Sequence, residues 1–306
     1  MAEHGDRPAD GITVRLRGGL GNQLFQYAAG SAVAYRLDCP LFVETAEFAA
    51  VLPGDTPRTF ELEWLIDRAH VLVGSTPGVS RRILRRAVRQ VSLPLGPRRF
   101  SEASFAFDPR IEDVKVGTTL EGYFQSWRYF TSVEDSLRIR LRSAVPRSPW
   151  GAQMEKELAS RGPWIAVHVR RGDYLKPRNS SYHGLLGASY YETALSKLSL
   201  RGCDFRVVAF SDDPDAALEL FGAQASSVET VRPPAESNPA ESMLLMSQAG
   251  AIVTANSSFS WWAGWLADPA ASTVVCPVPW FSQAGADESD LRPPTWVAID
   301  ADFTSD

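Results

Sequence analysis

The chain has 306 residues, 44% apolar and 22% charged, an ordinary globular balance that excludes wholesale disorder. At a usual domain size of roughly 150 residues, this length predicts two packed α/β lobes. The net charge of −5 excludes a general nucleic-acid binder, and Cys39, Cys203 and Cys276, far apart with no CxxC pair, suit neither a disulfide framework nor a thiolate metal site.

A reducing cytoplasm is the compartment expected from that cysteine usage. The polar start, Met1 to Asp10, lacks the apolar run of a secretory signal, and no run of about 18 apolar residues follows, so no membrane span is expected. Ile12 to Arg17 reads as a strand, Gly18, Gly19 and Gly21 as a turn, Asn22 to Leu37 as a helix, and Leu41 to Val43 as the next strand. That order opens a doubly wound lobe. Between Pro53 and Val116 the pattern gives helices and loops without register.

Val133 to Leu141 and Trp150 to Leu158 read as helices, and the proline-rich stretch from Pro146 to Pro149 divides the lobes, residues 1–148 from residues 149–306. Beyond it, apolar strands alternate with helical stretches: Trp164 to Val169, Ser189 to Leu198, Phe205 to Phe210, Asp215 to Phe221, Val228 to Val231, Glu241 to Gln248, Ala251 to Ala255, Phe259 to Ala267 and Thr273 to Cys276. Such alternation predicts a parallel sheet.

Four motifs fall where open α/β sheets place ligands. His168-Val169-Arg170-Arg171-Gly172-Asp173 ends a strand, with His168 and Arg170 on one face. A guanidinium fork fits a phosphate, two arginines neutralise a diphosphate, and Asp173 can hold one of them. Asn256-Ser257-Ser258-Phe259 opens a helix whose first N–H groups, beside small hydroxyls, suit an anion; Ser257 or Ser258 is the natural N-cap.

Gly18-Gly19-Leu20-Gly21-Asn22-Gln23 partly imitates a dinucleotide fingerprint, with Glu44 at the place of a ribose-binding acid but Leu24 where the third glycine belongs. Phe210-Ser211-Asp212-Asp213 ends another strand, where Asp212 can orient Arg170 and Asp213 suits a capped turn. For each motif there is a plain structural alternative: surface ion pairs, a packed histidine, a tight turn, a capped helix with Trp261 and Trp265 in the core. No His or carboxylate cluster has the spacing of a metal site, so no metal is expected. Arg81, Arg82, Arg85, Arg86 and Arg89 recur at helical spacing and offer a peripheral contact with an anionic membrane, or a solvated helix face.

Together these motifs resemble the bacterial α-1,2-fucosyltransferases of glycosyltransferase family 11, and the His-x-Arg-Arg-x-Asp element is similarly shared with α-1,6- and protein O-fucosyltransferases. The resemblance implies a GT-B-type architecture of two Rossmann-like lobes, GDP-fucose bound by the C-terminal one and the acceptor glycan held between the lobes, with inversion and no metal. It implies that Arg170 contacts the diphosphate with Arg171 in support, that Ser257, Ser258 and Phe259 hold the β-phosphate, and that His168 places the nucleotide. Gly19, Gly21 and Asp212 join the donor-binding set. Related enzymes often carry an Asp, as a guanine partner, where this chain has Ser242, which makes Glu241 the expected substitute.

Physically, transfer stretches the fucose C1–O bond while charge builds on GDP, so preorganised donors at that charge are the main requirement. Asn22 is the positional candidate beside the attacking hydroxyl, but an amide is a poor proton acceptor. Two rivals come from other classes: a non-catalytic nucleotide-sugar or glycan-binding protein, and a nicotinamide-dependent oxidoreductase built on the glycine turn.

Overall fold

The computed structural model describes residues 10–49, 57–73, 98–171, 184–199, 205–283, 285 and 287–304. The expectations for Asp173, Cys203 and the arginines at 81, 82, 85, 86 and 89 lie outside the described residues. The chain divides into two compact units, Met1–Leu137 and Arg138–Asp306.

In the first unit β1 (Ile12–Arg15), β2 (Leu41–Glu44), β3 (Val71–Leu72), β4 (Arg99–Ser101) and β5 (Thr119–Glu121) form a sheet in the order β3-β2-β1-β5-β4. Every pairing in it is parallel. Helix α1 (Leu20–Arg36) follows the glycine turn and buries Leu24, Phe25, Ala28, Ala29 and Val33. Small residues let it lie close to the sheet: a Cβ on Gly30 would meet Leu41 Cδ1 at 2.8 Å. Phe25→Ala would open a cavity here at about 3–5 kcal/mol.

Beyond α2 (Glu134–Ala144), in whose span the division falls, α3 (Pro149–Ser160) leads into β6 (Trp164–Val169). The elements β7 (Leu185–Leu186), α4 (Ala188–Ser199), β8 (Arg206–Ser211), α5 (Pro214–Glu219), β9 (Val228–Val231), α6 (Pro239–Met246), β10 (Ala251–Val253), α7 (Ser258–Leu266), β11 (Thr273–Val278), β12 (Val297–Asp300) and β13 (Phe303–Thr304) follow. Six strands form a parallel sheet in the order β12-β11-β10-β6-β8-β9, with β7 and β13 as a separate antiparallel pair.

Each unit is a parallel, Rossmann-like α/β sheet, the class read from the sequence for each lobe. In each, the strand first in the chain sits inside the sheet and later strands add on both sides. The order reverses between β1 and β5 in the first unit and between β6 and β10 in the second. Such switch points open a crevice at the carboxyl ends of the strands, where ligands bind.

The second core is filled by Val167, Val169, Tyr190, Tyr191, Ala209 and Val253 against the sheet. Trp261 and Trp265 stack in parallel at 6.5 Å and are core, as expected, and Trp262 and Trp296 pack on Trp261 beside them. The carbonyls at the end of α7 are satisfied from α2: Arg138 Nη1 donates to Ala267 O at 3.0 Å and Arg142 Nε to Leu266 O at 3.1 Å. Two cations at a helix carboxyl end also meet the negative pole of its dipole. Among the described residues no helix is long and apolar enough to cross a membrane.

Candidate functional site

The switch point of the second sheet gathers the strongest motif. His168, next to last in β6, is 4% exposed, because β8 and β10 flank its strand on both sides. Its ring lies 5.5 Å from that of Phe259, and its Nδ1 is buried without a hydrogen-bond partner. Burial, reinforced by the charge of Arg170, pushes its pKa down to about 3, so the imidazole is neutral at physiological pH.

Arg170 and Arg171 leave the strand just beyond it, both half-buried. Asp212, beyond the end of β8, holds them: Oδ2 lies 3.1 Å from Arg170 Nη1, and Oδ1 accepts the Arg171 backbone N–H at 2.9 Å. A partly exposed pair of this kind contributes about 0–1 kcal/mol to stability. Its main consequence is orientation. Asp213, as expected for a capped turn, accepts from Ala216 N at 3.1 Å at the start of α5.

On the other side of the switch point, β10 runs into α7. Ser257 takes the N-cap position with extended backbone, but its hydroxyl accepts no hydrogen bond from the helix. The N-cap position thus falls on Ser257, as expected, but without the side-chain hydrogen bond of a cap. Thr254, also at this edge and completely buried, has an Oγ1 with no partner. The sequence reading passed over Thr254 because it sits in an apolar run. Its signal was a lone hydroxyl one residue past a strand end.

Two buried polar atoms without partners, on neighbouring strand ends, are unusual, since buried polar groups are nearly always hydrogen-bonded. With the guanidinium of Arg170 and the amides of α7, this edge presents donors and a positive field to an anionic ligand. Among the described residues no group of three or more His, Cys, Asp or Glu side chains is placed to hold a metal ion.

Glu241 lies in the first turn of α6 and is buried, with its carboxylate turned to the start of α3, where it accepts the Ser148 backbone N–H. A Cβ on Gly151 would come within 2.7 Å of the same oxygen. This joins two helix N-termini through one carboxylate.

In the first unit Gly18 has φ +77°, and Gly19 precedes α1 without a side-chain cap. Gly21 is buried in the first turn of α1, and Asn22, half-exposed, accepts from Gln125 Nε2 at 2.6 Å through its Oδ1. Gln23 is buried and pins the next loop: its Nε2 donates to Gly18 O and Thr59 O, and its Oε1 accepts from Glu61 N. Glu44 is engaged by Arg15 at 3.0 and 3.1 Å, which takes up the acid that a dinucleotide ribose would need.

The profile described as Glycosyl transferase family 11 matches residues 115–300, more than half of the chain. The chain is 28% identical over 294 residues to an alpha-1,2-colitosyltransferase of Escherichia coli, covering 94% of this chain and 99% of the relative. It is 27% identical over 311 residues to galactoside alpha-(1,2)-fucosyltransferase 1 of Oryctolagus cuniculus, covering 97% of this chain and 76% of the relative. Among solved structures it is similar to the fucosyltransferase NodZ from Bradyrhizobium, at 15% identity and a TM-score of 0.48 over 84% of this chain and 93% of that one.

Proposed function

The chain belongs to glycosyl transferase family 11, and on that footing we propose that it moves fucose from GDP-fucose to a hydroxyl of an acceptor glycan, O-2 of a galactose, with inversion and without a metal. The observation that carries the proposal is the Asp212-held Arg170 at the switch point of the second sheet, beside a helix start whose N-cap serine makes no side-chain cap bond. In this reading residues 149–306 hold the donor and residues 1–148 face the acceptor.

Arg170 meets the charge that grows on the diphosphate as the C1–O bond stretches, and Arg171 and Asp173 support it. The N–H groups of α7, with Ser257 and Ser258, take the β-phosphate, while Phe259 and the neutral ring of His168 bound the nucleotide. Donors already in place at a developing charge need no reorganisation during the reaction, and removing one typically costs about 100- to 1000-fold. Gly19 and Gly21 let the ligand approach the backbone, and Asn22 stands on the acceptor side.

Incubation with GDP-fucose and a series of β-galactosides, with and without EDTA, tests the reading. The expected product is an α-1,2-linked fucoside formed equally well in EDTA. Loss of activity that returns with Mg²⁺ or Mn²⁺ would overturn the metal-independent reading; GDP binding without sugar transfer or release would mark a non-catalytic binding protein. Because one relative is named for colitose, a 3-deoxy analogue of fucose, the same assay with a colitosyl donor separates two donors that differ by a single hydroxyl.

A further inference from the structure

Asn22 follows β1 and Gln125 follows β5, the two strands between which the order of the first sheet reverses. Their side chains meet there: Gln125 Nε2 donates to Asn22 Oδ1 at 2.6 Å. Gln125 is 8% exposed, whereas Asn22 is half-exposed. An amide whose oxygen is occupied has two N–H donors left. The Nδ2 side of Asn22 faces Gly18, where a Cβ would come within 2.6 Å of it and where a φ of +77° also demands glycine.

Gln125 is itself held from behind. Phe124 has a φ of +54°, a conformation that a bulky residue seldom adopts. Oε2 of Glu102, one residue past β4, accepts the backbone N–H groups of Tyr123 at 2.8 Å and Phe124 at 3.0 Å and so fastens that turn. Oε1 of the same carboxylate is buried without a partner. Burial raises the Glu102 pKa despite those two bonds, so its contribution to stability is present below the ordinary carboxylate range and lost as pH rises through the raised value. A buried carboxylate that braces a left-handed turn from the neighbouring strand is the pattern of a positioning residue.

The geometry assigns Asn22 as a hydrogen-bond donor to the acceptor sugar, held in that orientation by Gln125 and, through the Tyr123–Phe124 turn, by Glu102. This rests on the proposed function, in which Asn22 stands on the acceptor side. Asn22 then takes no proton. It binds an oxygen of the sugar, and its orientation follows from the partner on the neighbouring strand.

Steady-state kinetics on the full chain with GDP-fucose and a β-galactoside test the assignment. Asn22→Asp keeps an oxygen for Gln125 and removes the N–H donors, while Gln125→Glu removes the donor that fixes Asn22. Both should raise the acceptor KM by at least about 3- to 10-fold, the value of one neutral hydrogen bond. The KM for GDP-fucose should change far less than the acceptor KM in each variant. Glu102→Ala should raise the acceptor KM in the same way, and Glu102→Gln, whose oxygen can still accept both N–H groups, should restore most of it. An unchanged acceptor KM in Asn22→Asp, or a Glu102→Gln variant as impaired as Glu102→Ala at equal Tm, would overturn the assignment. Absence of transfer by the wild-type protein would instead overturn the proposed function, and calorimetry of galactoside binding to wild type and Asn22→Asp would still decide the role of Asn22.

Discussion

Asp212 Oδ2 lies 3.1 Å from Arg170 Nη1, while Oδ1 of the same carboxylate accepts the Arg171 backbone N–H at 2.9 Å. One side chain just past β8 thus fixes both the guanidinium of the first arginine and the main chain of the second. Arg170→Ala should lower kcat/KM by about 100-fold or more, and Arg170→Lys should recover little, because a point charge does not reproduce a planar fork. Asp212→Asn should fall between wild type and Arg170→Ala, since the amide still accepts the Arg171 N–H but loses the ionic partner of Arg170. Near-normal turnover in Arg170→Ala would remove this residue from the mechanism.

Thr254→Val should separate binding from folding at the same edge. The hydroxyl of Thr254 is buried without a partner, so an isosteric apolar side chain removes a desolvation penalty of about 1–3 kcal/mol. The variant is therefore expected to melt at a higher temperature than wild type. It should also bind GDP more weakly by calorimetry if the hydroxyl meets the nucleotide. A variant both less stable and unchanged in GDP affinity would place Thr254 outside the site.

The second unit was legible in the sequence because its central strands are buried on both faces and its helices are short and well punctuated. Trp164–Val169 and Val228–Val231 form the strands expected and the other expected elements of that unit shift by at most a few residues, whereas Leu185–Leu186, Val297–Asp300 and Phe303–Thr304 are strands the sequence did not announce. The stretch from Pro53 to Val116 was not legible for a physical reason: its described strands, Val71–Leu72 and Arg99–Ser101, are too short to show alternation and take their pairing from distant neighbours. For the same reason Glu102 and Gln125 escaped notice, since the value of each lies in a contact across the sheet. Asp212 was legible because a carboxylate at a strand end has few partners other than the arginines that end the adjacent strand.

The neutral state of His168 predicts a pH dependence of stability. Its folded pKa of about 3 lies below the ordinary histidine value, so between the two only the unfolded chain takes up the proton. Stability is full above about pH 6.5 and is lost as pH falls toward 3, by up to ~1.4 kcal/mol per pH unit from this group. Urea melts of wild type and His168→Gln at pH 7, 6 and 5 should show a shallower slope for the variant by about one proton. Equal slopes would mean that His168 is protonated in the folded protein.

Glu241 is the residue on which sequence and geometry pull apart. A carboxylate near the start of α6 suits the N1-H and amino group of guanine, yet here it accepts the N–H of Ser148, whose own Oγ accepts Gly151 N at 3.1 Å in capping α3. A hydrogen bond to a charged acceptor is worth about 1.5–3 kcal/mol, so Glu241→Ala should cost stability of that order in urea melts. Gly151→Ala should also destabilise, because its Cβ would press on the same oxygen at 2.7 Å, where the carboxylate is confined by burial. If the junction is the role of Glu241, the preference for GDP over ADP measured by calorimetry should be the same in wild type and Glu241→Ala. A loss of GDP affinity with ADP affinity little changed, in a variant whose stability is unaltered, would assign the carboxylate to the base and leave Ser148 capped by other means.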